Sequence, residues 1–219
     1  VFFQGGNSTL RAHLKTLSSR LEEFSFARSP FYSADEAENQ LRPLAPVFAA
    51  MEDDGPVGVV LPGHAAFLDG ITSFLIRGCR ERGKSWRVYD GVSSFDSLIR
   101  SLGLDLCGSG IQLADASAVL KGWPLDPRQP AMLFRPAAPF LPDGKTPARV
   151  LRLLLRRLRE DYPAKHPTFL VSCFSGDGDQ AAEFPLSALP RKARWIESHH
   201  ATLLIAARKT LAPARGPLP

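Results

Sequence analysis

The segment Val57-Gly58-Val59-Val60-Leu61-Pro62-Gly63-His64-Ala65-Ala66-Phe67 is the stretch that decides the fold of this chain. A run of aliphatic and β-branched residues stops at a proline–glycine turn and passes directly into a segment with helical periodicity. A second junction of this kind follows about thirty residues later, in Trp86-Arg87-Val88-Tyr89-Asp90-Gly91-Val92-Ser93-Ser94-Phe95. Such spacing predicts βαβ units whose turns lie at the carboxyl ends of parallel strands, where open α/β sheets bind ligands.

Further strands and helices are predicted on both sides of these junctions, so the fold class is α/β. Leucines 10, 14, 17 and 21 recur at helical spacing and favour a helix from residue 8 to residue 24. The predicted strands are 1–4, 56–61, 87–89, 110–113, 131–134, 166–174, 182–185 and 201–207. The predicted helices are 8–24, 35–51, 66–82, 94–102, 115–120 and 147–161.

A proline-rich stretch divides the predicted elements into two groups. Residues 136–146 are interpreted as a linker between an N-terminal half, 1–135, and a smaller C-terminal half, 147–207. The last residues, 208–219, contain three prolines and are predicted to be a disordered tail.

Composition limits the class of protein. The chain has 219 residues, of which 44% are hydrophobic and 22% are charged, as in an ordinary globular domain. Its apolar runs are far shorter than the roughly 20 residues that cross a bilayer, so no membrane partner is predicted. Cys79, Cys107 and Cys173 are scattered, which favours reduced thiols in the cytoplasm over a disulfide framework or a zinc site.

The two junctions and two later motifs, taken in order, resemble the S-adenosylmethionine-dependent tetrapyrrole (corrin/porphyrin) methylase family. The motifs are PGHAAF at 62–67, GVSS at 91–94, CFSGDGDQ at 173–180 and HHATLLIA at 199–206. Within that family the closest resemblance is to the borosin-type peptide backbone N-methyltransferases. The resemblance implies a parallel-sheet N-terminal half, a smaller mixed-sheet C-terminal half, and S-adenosyl-L-methionine bound in the cleft between them.

The same resemblance implies which residues contact the cofactor, mostly through main-chain groups. They are Gly63, His64, Ala65, Gly91, Val92, Ser93, Ser94, Phe134, Ala201 and Thr202. Small residues at both turns allow backbone N–H and C=O groups to approach a ligand, although tight turns alone also require them. His64 is interpreted as a positioning group for the loop or the cofactor, with an acid–base role or an ordinary hydrogen-bonded histidine as alternatives. No metal site is predicted.

The borosin-type resemblance also implies catalytic residues. Methyl transfer from a sulfonium mainly requires alignment and exclusion of water, but an amide nitrogen is a poor nucleophile and needs activation. Family members use tyrosine and arginine from the segment before the PGH strand, where this chain offers Tyr32 and Arg28. Glu36 and Gln40 stand at the positions where the functional pair is expected, and this departure counts against amide methylation.

Three interpretations of function therefore stay open at the level of the sequence. The first is a methyltransferase acting on a small molecule or a peptide, expected to form a homodimer as family members commonly do. The second is a non-catalytic binding subunit, because the family's first strand would precede Val1. The third is nucleic-acid methylation or binding through arginines on one face of the helix 147–161, although these arginines are interpreted first as a solvated helix side, with a docking surface for an acidic peptide or nucleic acid as the alternative. These arginines are Arg149, Arg152, Arg156 and Arg159.

Overall fold

The computed structural model describes residues 1–4, 8–24, 36–53, 55–61, 63–67, 70–104, 110–137, 146–173 and 180–208, with backbone only for 36–42 and 199. The protein is an α/β structure with one parallel sheet and a separate mixed sheet, as the sequence predicts. Its contacts divide the chain into two compact units, Val1–Ser94 and Phe95–Pro219. No helix among the described residues is both long and apolar enough to span a membrane.

The parallel sheet belongs to the first unit. Its strands are β1 (Phe2–Gln4), β2 (Glu22–Phe24) and β3 (Val59–Val60), in the order β2-β1-β3. Three helices accompany them, α1 (Ser8–Leu17), α2 (Glu36–Ala50) and α3 (Gly70–Glu81). Because all pairs are parallel, the three carboxyl ends lie at the same edge of the sheet. The buried core consists of Phe2, Phe24, Leu44, Val47, Phe48 and Ile71.

Close packing of α2 against α3 depends on a glycine. A Cβ atom at Gly78 would lie 2.2 Å from Cε1 of Phe48, so any larger residue would displace the ring. The guanidinium of Arg82 covers the same ring at 4.7 Å from its centroid. α2 also continues through Pro43 and Pro46, although proline inside a helix commonly kinks or breaks it.

The predicted helix 8–24 is wrong in its second half. α1 ends at Leu17, and Glu22–Phe24 form β2 beside β1. The hydroxyl of Ser18 donates to the carbonyl of Arg20 at 2.9 Å, which stabilises a turn in place of another helical turn. Pairing with β1 buries Phe24, whereas the leucine pattern would have left that ring on a helix surface.

The predicted strand 87–89 is also wrong. Residues 84–93 carry no helix or strand, and no ladder joins 87–89 to the described part of the sheet. Tyr89 is 75% exposed and Val88 is 40% exposed. The β-branched and aromatic composition favoured a strand, but a strand also requires a partner for its backbone groups.

The mixed sheet belongs to the second unit, with the strand order β4-β5-β8-β6-β7. Only β4 and β5 run parallel, and the other pairs are antiparallel. The strands are β4 (Gln112–Asp115), β5 (Ala131–Phe134), β6 (Pro167–Ser172), β7 (Gln180–Pro185) and β8 (Thr202–Ile205). The helices are α4 (Ser94–Leu102), α5 (Ala116–Leu120), α6 (Pro147–Leu158), the 3-10 helix Leu186–Lys192 and α7 (Ala193–His199).

This sheet joins strands from both sides of the proline-rich segment 136–146. The strands β4 and β5 precede that segment, yet β5 pairs with β8 from the far end of the sequence. Segment 138–145 and the predicted tail from 209 onward lie outside the described residues. Proline content marks a connection between elements, but it does not reveal which sheet those elements join.

Helix α6 contributes the largest apolar face to the core of the second unit. Pro147 stands at its first turn, where a missing backbone N–H costs nothing. Val150, Leu151, Leu154 and Leu158 are buried, and each leucine stabilises the fold by about 2 kcal/mol when removed from water. The helix predicted over 147–161 is therefore present, and it ends at Leu158.

Tyr162 is an unusual member of this core. The residue is only 2% exposed, and its hydroxyl is the one buried side-chain N or O atom in the described ranges without a hydrogen-bond partner. Burial, with a smaller effect of the Asp161 charge, raises the pKa of Tyr162 to about 12. An exposed tyrosine in the unfolded chain titrates near 10.

Because the folded-state pKa is the higher one, Tyr162 stabilises the fold fully below pH 10, and this contribution declines as the pH rises towards 12. We expect Tyr162→Phe to remove this decline, which is about 1–3 kcal/mol, and to leave stability at pH 7 unchanged or higher. Urea denaturation between pH 7 and pH 12 measures both effects. Tyr89→Phe, at an exposed tyrosine, is the control and keeps the decline; an equal decline in Tyr162→Phe would contradict the assignment.

Candidate functional site

The loop that follows β3 is a tight turn closed by its own histidine. Gly63 has a φ of +78°, a left-handed conformation that favours glycine. The N–H of Ala66 donates to Nδ1 of His64 at 3.1 Å, and the N–H of Phe67 donates to the His64 carbonyl at 3.1 Å. The sequence pattern PGH therefore specifies the turn through both the glycine and the histidine.

Helix α3 is hydrogen-bonded to this turn. The hydroxyl of Thr72, a buried residue in the first turn of α3, donates to the carbonyl of Ala65. A buried hydroxyl that satisfies a loop carbonyl ties the loop to the helix that follows it.

The two predicted glycine turns are in direct contact. A Cβ atom at Gly91 would lie 2.4 Å from the carbonyl oxygen and 3.2 Å from the carbonyl carbon of Gly63. Real side chains do not come that close to backbone, so only glycine permits this approach. The structure thus places Gly63, His64, Ala65 and Gly91 in one cluster, although 87–89 is not a strand.

His64 connects the two loops electrostatically. Its Nε2 lies 3.6 Å from Oδ1 of Asp90, whose side chain is 92% exposed. Since Nδ1 accepts a hydrogen bond from Ala66, the proton of a neutral ring resides on Nε2 and faces the Asp90 carboxylate. This geometry agrees with a positioning role for His64. Asp90 was not predicted, and its one sequence signal is its place directly before Gly91.

The residues after Gly91 have contrasting environments. Val92 is 77% exposed, whereas Ser93 is buried and Ser94 begins α4. An exposed valine beside an exposed glycine offers main-chain and apolar surface to a ligand, while Ser93 serves the packing of the loop.

The remaining predicted contacts lie in the second unit, at one end of the mixed sheet. Phe134 ends β5 and is paired with Asp115 of β4. Thr202 begins β8, one residue beyond the Leu203–Leu133 pair, and is paired with Val171 of β6. Ala201 directly precedes Thr202, and all three predicted residues are buried. The register therefore brings Phe134, Ala201 and Thr202 to the same end of the mixed sheet.

A charged pair lies at that end of the sheet and was missed from the sequence. Arg135 directly follows β5 with a φ of 53°, a conformation uncommon for a residue with a side chain. Its Nε donates to Oδ2 of Asp115 at 2.6 Å. Oδ1 of Asp115 accepts from the N–H of Ser117 at 2.9 Å and caps α5. Strained backbone held by an ion pair at the ends of two parallel strands is typical of a functional position.

The predicted catalytic residues Tyr32 and Arg28 lie outside the described residues. Within the described ranges no cluster of histidine, cysteine, aspartate and glutamate could hold a metal ion. A groove of about 500 Å³ runs between α2 and α3, with apolar walls and a charged rim. None of the predicted site residues lines it, so it is distinct from the cluster at Gly63 and Gly91.

Solved structures share this fold. The chain is similar to uroporphyrin-III-C-methyltransferase from Thermus thermophilus, with a TM-score of 0.57 and 19% identity over 89% of this chain and 76% of that chain. It is similar to cobalt precorrin-4 methyltransferase, with a TM-score of 0.54 and 12% identity over 94% and 83%. A putative cobalamin synthesis related protein from Corynebacterium diphtheriae has a TM-score of 0.57 and 13% identity over 94% and 86%.

No protein-family model matches the sequence, and no curated protein matches it. At these identities the structural matches establish the fold: this chain has the fold of tetrapyrrole methyltransferases. They do not single out the borosin-type branch within that fold.

Proposed function

We propose that this protein is an S-adenosyl-L-methionine-dependent methyltransferase. The observation that carries the proposal is the contact between Gly63, in the turn after β3, and Gly91, in the loop before α4, on a fold shared with methyltransferases. Ligands of α/β sheets bind at such carboxyl-end turns.

The residues of this cluster fit the cofactor. Gly63 and Gly91 are exposed and lack side chains, so their peptide groups are accessible to the polar groups of a nucleoside and an amino acid. The exposed carboxylate of Asp90 suits a ligand that carries a positive sulfonium and an ammonium group. When bound, the cofactor supplies an electrophilic methyl group.

The chain's own residues then hold and orient the ligand. We assign Gly63, Ala65, Gly91 and Val92 to binding, and His64 to keeping the two loops together through Ala66 and Asp90. Ser93 and Ser94 support the second loop. The predicted contacts Phe134, Ala201 and Thr202 stay part of the proposal, supported by their place at the same end of the mixed sheet.

The proposal specifies the methyl acceptor less closely than the cofactor. A peptide amide activated by Tyr32 and Arg28 rests on the borosin-type resemblance alone. The names of the structural neighbours concern tetrapyrroles, uroporphyrin III and cobalt precorrin-4, which makes a tetrapyrrole the acceptor to assay first. A homodimer and a cytoplasmic location stay predictions from the sequence. A binding subunit without catalysis and a nucleic-acid methyltransferase are the alternatives, and no observation favours them.

Titration calorimetry with S-adenosylhomocysteine tests the proposal. We expect one bound molecule per chain with a dissociation constant in the range of about 1–100 μM. Methyl transfer to a porphyrinoid panel and to peptides, followed by mass spectrometry, then separates the enzyme from a binding subunit. Absence of S-adenosylhomocysteine binding would overturn the proposal, whereas binding without transfer to any acceptor would favour the non-catalytic alternative.

A further inference from the structure

Helix α6 carries a row of four exposed arginines, Arg149, Arg152, Arg156 and Arg159, which we call the arginine face. Their spacing of three, four and three residues aligns them along the helix axis over about 15 Å. The row lies directly opposite the leucines that α6 buries in the core. Packing of the fold therefore fixes the direction in which these side chains point.

Among the described residues, no carboxylate neutralises Arg149, Arg152 or Arg156 of the arginine face. Within the described part of the chain, Arg149, Arg152 and Arg156 form no ion pair, and Arg159 donates to the Tyr162 carbonyl at 3.3 Å. No acidic residue occurs between Thr146 and Arg159. Other arginines have carboxylate partners, including the pairs Arg77–Glu81, Arg82–Glu52, Arg128–Asp126, Arg135–Asp115 and Arg157–Glu160.

Folding does not account for this row. Like charges at three- and four-residue spacing destabilise a helix, and Arg149 lies near the positive end of the helix dipole, whereas only Arg156 and Arg159 lie at the negative end that favours a cation. The 3-10 helix and α7, which pack against α6, carry the basic residues Arg191, Lys192 and Arg194 and the acidic Glu197. The repulsion between these arginines destabilises the isolated helix, and an acidic binding partner would offset that repulsion.

We propose that the arginine face docks an acidic helical segment of a partner protein. A helix with glutamate or aspartate at positions i, i+3, i+7 and i+10 repeats its carboxylates at the same heights along its axis. Guanidinium groups match carboxylates with two parallel hydrogen bonds. Half-buried Leu153 borders the row and offers apolar contact to such a helix.

A nucleic acid fits this surface less well. No aromatic residue lies on α6, so unpaired bases would find no stacking partner there. Four arginines would neutralise about four phosphates of a duplex, fewer than the roughly 6–10 that give a steeply salt-dependent nucleic-acid interface.

Fluorescence anisotropy on the full chain at low salt tests the inference. The probe is a labelled alanine-rich peptide with glutamates at i, i+3, i+7 and i+10, which lie on one face of its helix. The comparison peptide has the same composition, but its glutamates are distributed over all faces of the helix. We expect the patterned peptide to bind at least about tenfold more tightly, and Arg152→Glu/Arg156→Glu to weaken it by at least about tenfold. We expect Arg152→Gln/Arg156→Gln to weaken peptide binding by a smaller factor. Because this variant only removes charge, it keeps the test valid if the charge-reversed variant misfolds.

The matched control is Lys15→Glu/Arg20→Glu, which makes the same change of charge at exposed residues of the first unit and leaves the affinity unchanged. Equal affinity for both peptides, or an unchanged affinity in the two α6 variants, overturns the inference. Tighter binding of an RNA or DNA duplex that the α6 variants abolish also overturns it, in favour of a nucleic-acid surface. S-adenosylhomocysteine binding is expected to be the same in all these variants, since the inference does not depend on the cofactor.

Discussion

Gly91→Ala is expected to weaken S-adenosylhomocysteine binding by at least about tenfold. The added methyl group would lie 2.4 Å from the Gly63 carbonyl oxygen, so one of the two loops must move. Displacement of the Gly63 turn also strains the Ala66–His64 and Thr72–Ala65 hydrogen bonds. Overpacking of this kind costs about 1–3 kcal/mol of stability. Calorimetry and urea denaturation measure the two effects.

Gly58→Ala is the matched control for this substitution. Gly58 lies in the same unit, and a Cβ atom there meets Val1 Cγ2 at 3.6 Å, an ordinary contact. We expect binding and stability close to those of the unsubstituted chain. If Gly91→Ala binds as well as Gly58→Ala, the loops do not hold the cofactor as proposed.

Asp115→Ala is expected to lower the stability of the second unit by about 2–4 kcal/mol. The carboxylate caps α5 through the Ser117 N–H, and loss of a cap costs about 1 kcal/mol. It also holds Arg135, whose φ of 53° persists only while its surroundings enforce it. The side chain of Asp115 is only 12% exposed, so this pair is less screened than a surface ion pair. Urea denaturation monitored by circular dichroism measures the loss.

Two variants divide this effect into its parts. Asp115→Asn keeps an oxygen for the α5 cap but removes the charge opposite Arg135, so we expect a loss between those of the wild type and Asp115→Ala. Asp126→Ala removes the exposed ion pair with Arg128 and is expected to have a much smaller effect. Equal stability of Asp115→Ala and Asp126→Ala would show that the Asp115–Arg135 pair is a surface contact only.

The local motifs were the predictable part of this fold. The glycines at 63 and 91 each end a β-rich segment, and βαβ geometry brings such turns to one edge. The structure brings the two glycines into contact although 87–89 is not a strand, and His64 forms the hydrogen bond to Ala66 that suits a positioning group. The apolar spacing of α6 likewise specified its buried face, because its leucines repeat at helical intervals over three turns.

Long-range pairing was the unpredictable part. Whether Glu22–Phe24 continue a helix or form a strand depends on β1, which precedes α1 in the sequence. Pairing with β1 places Phe24 beside Gln4. The composition of 87–89 favours a strand, but no described strand accepts its hydrogen bonds. Sequence periodicity describes one element at a time and contains no information about its neighbours.

The Asp115–Arg135 pair shows the same limit for the candidate site. The two residues are 20 positions apart, and only the parallel register of β4 and β5 brings them together. Neither residue type nor spacing marks such a pair in advance. The positive φ of Arg135 was equally hidden, because sequence rules assign that conformation to glycine, asparagine or aspartate.

The central position of β8 has a consequence for the order in which the protein is built on the ribosome. β8 is synthesised after all the other described strands, yet it lies between β5 and β6, and all four of its residues are buried. Until residues 202–205 emerge, β4–β5 and β6–β7 are two separate ribbons with open inner edges. We therefore expect the nascent second unit to stay incompletely folded, and exposed to chaperones and edge-to-edge association, until the last strand inserts.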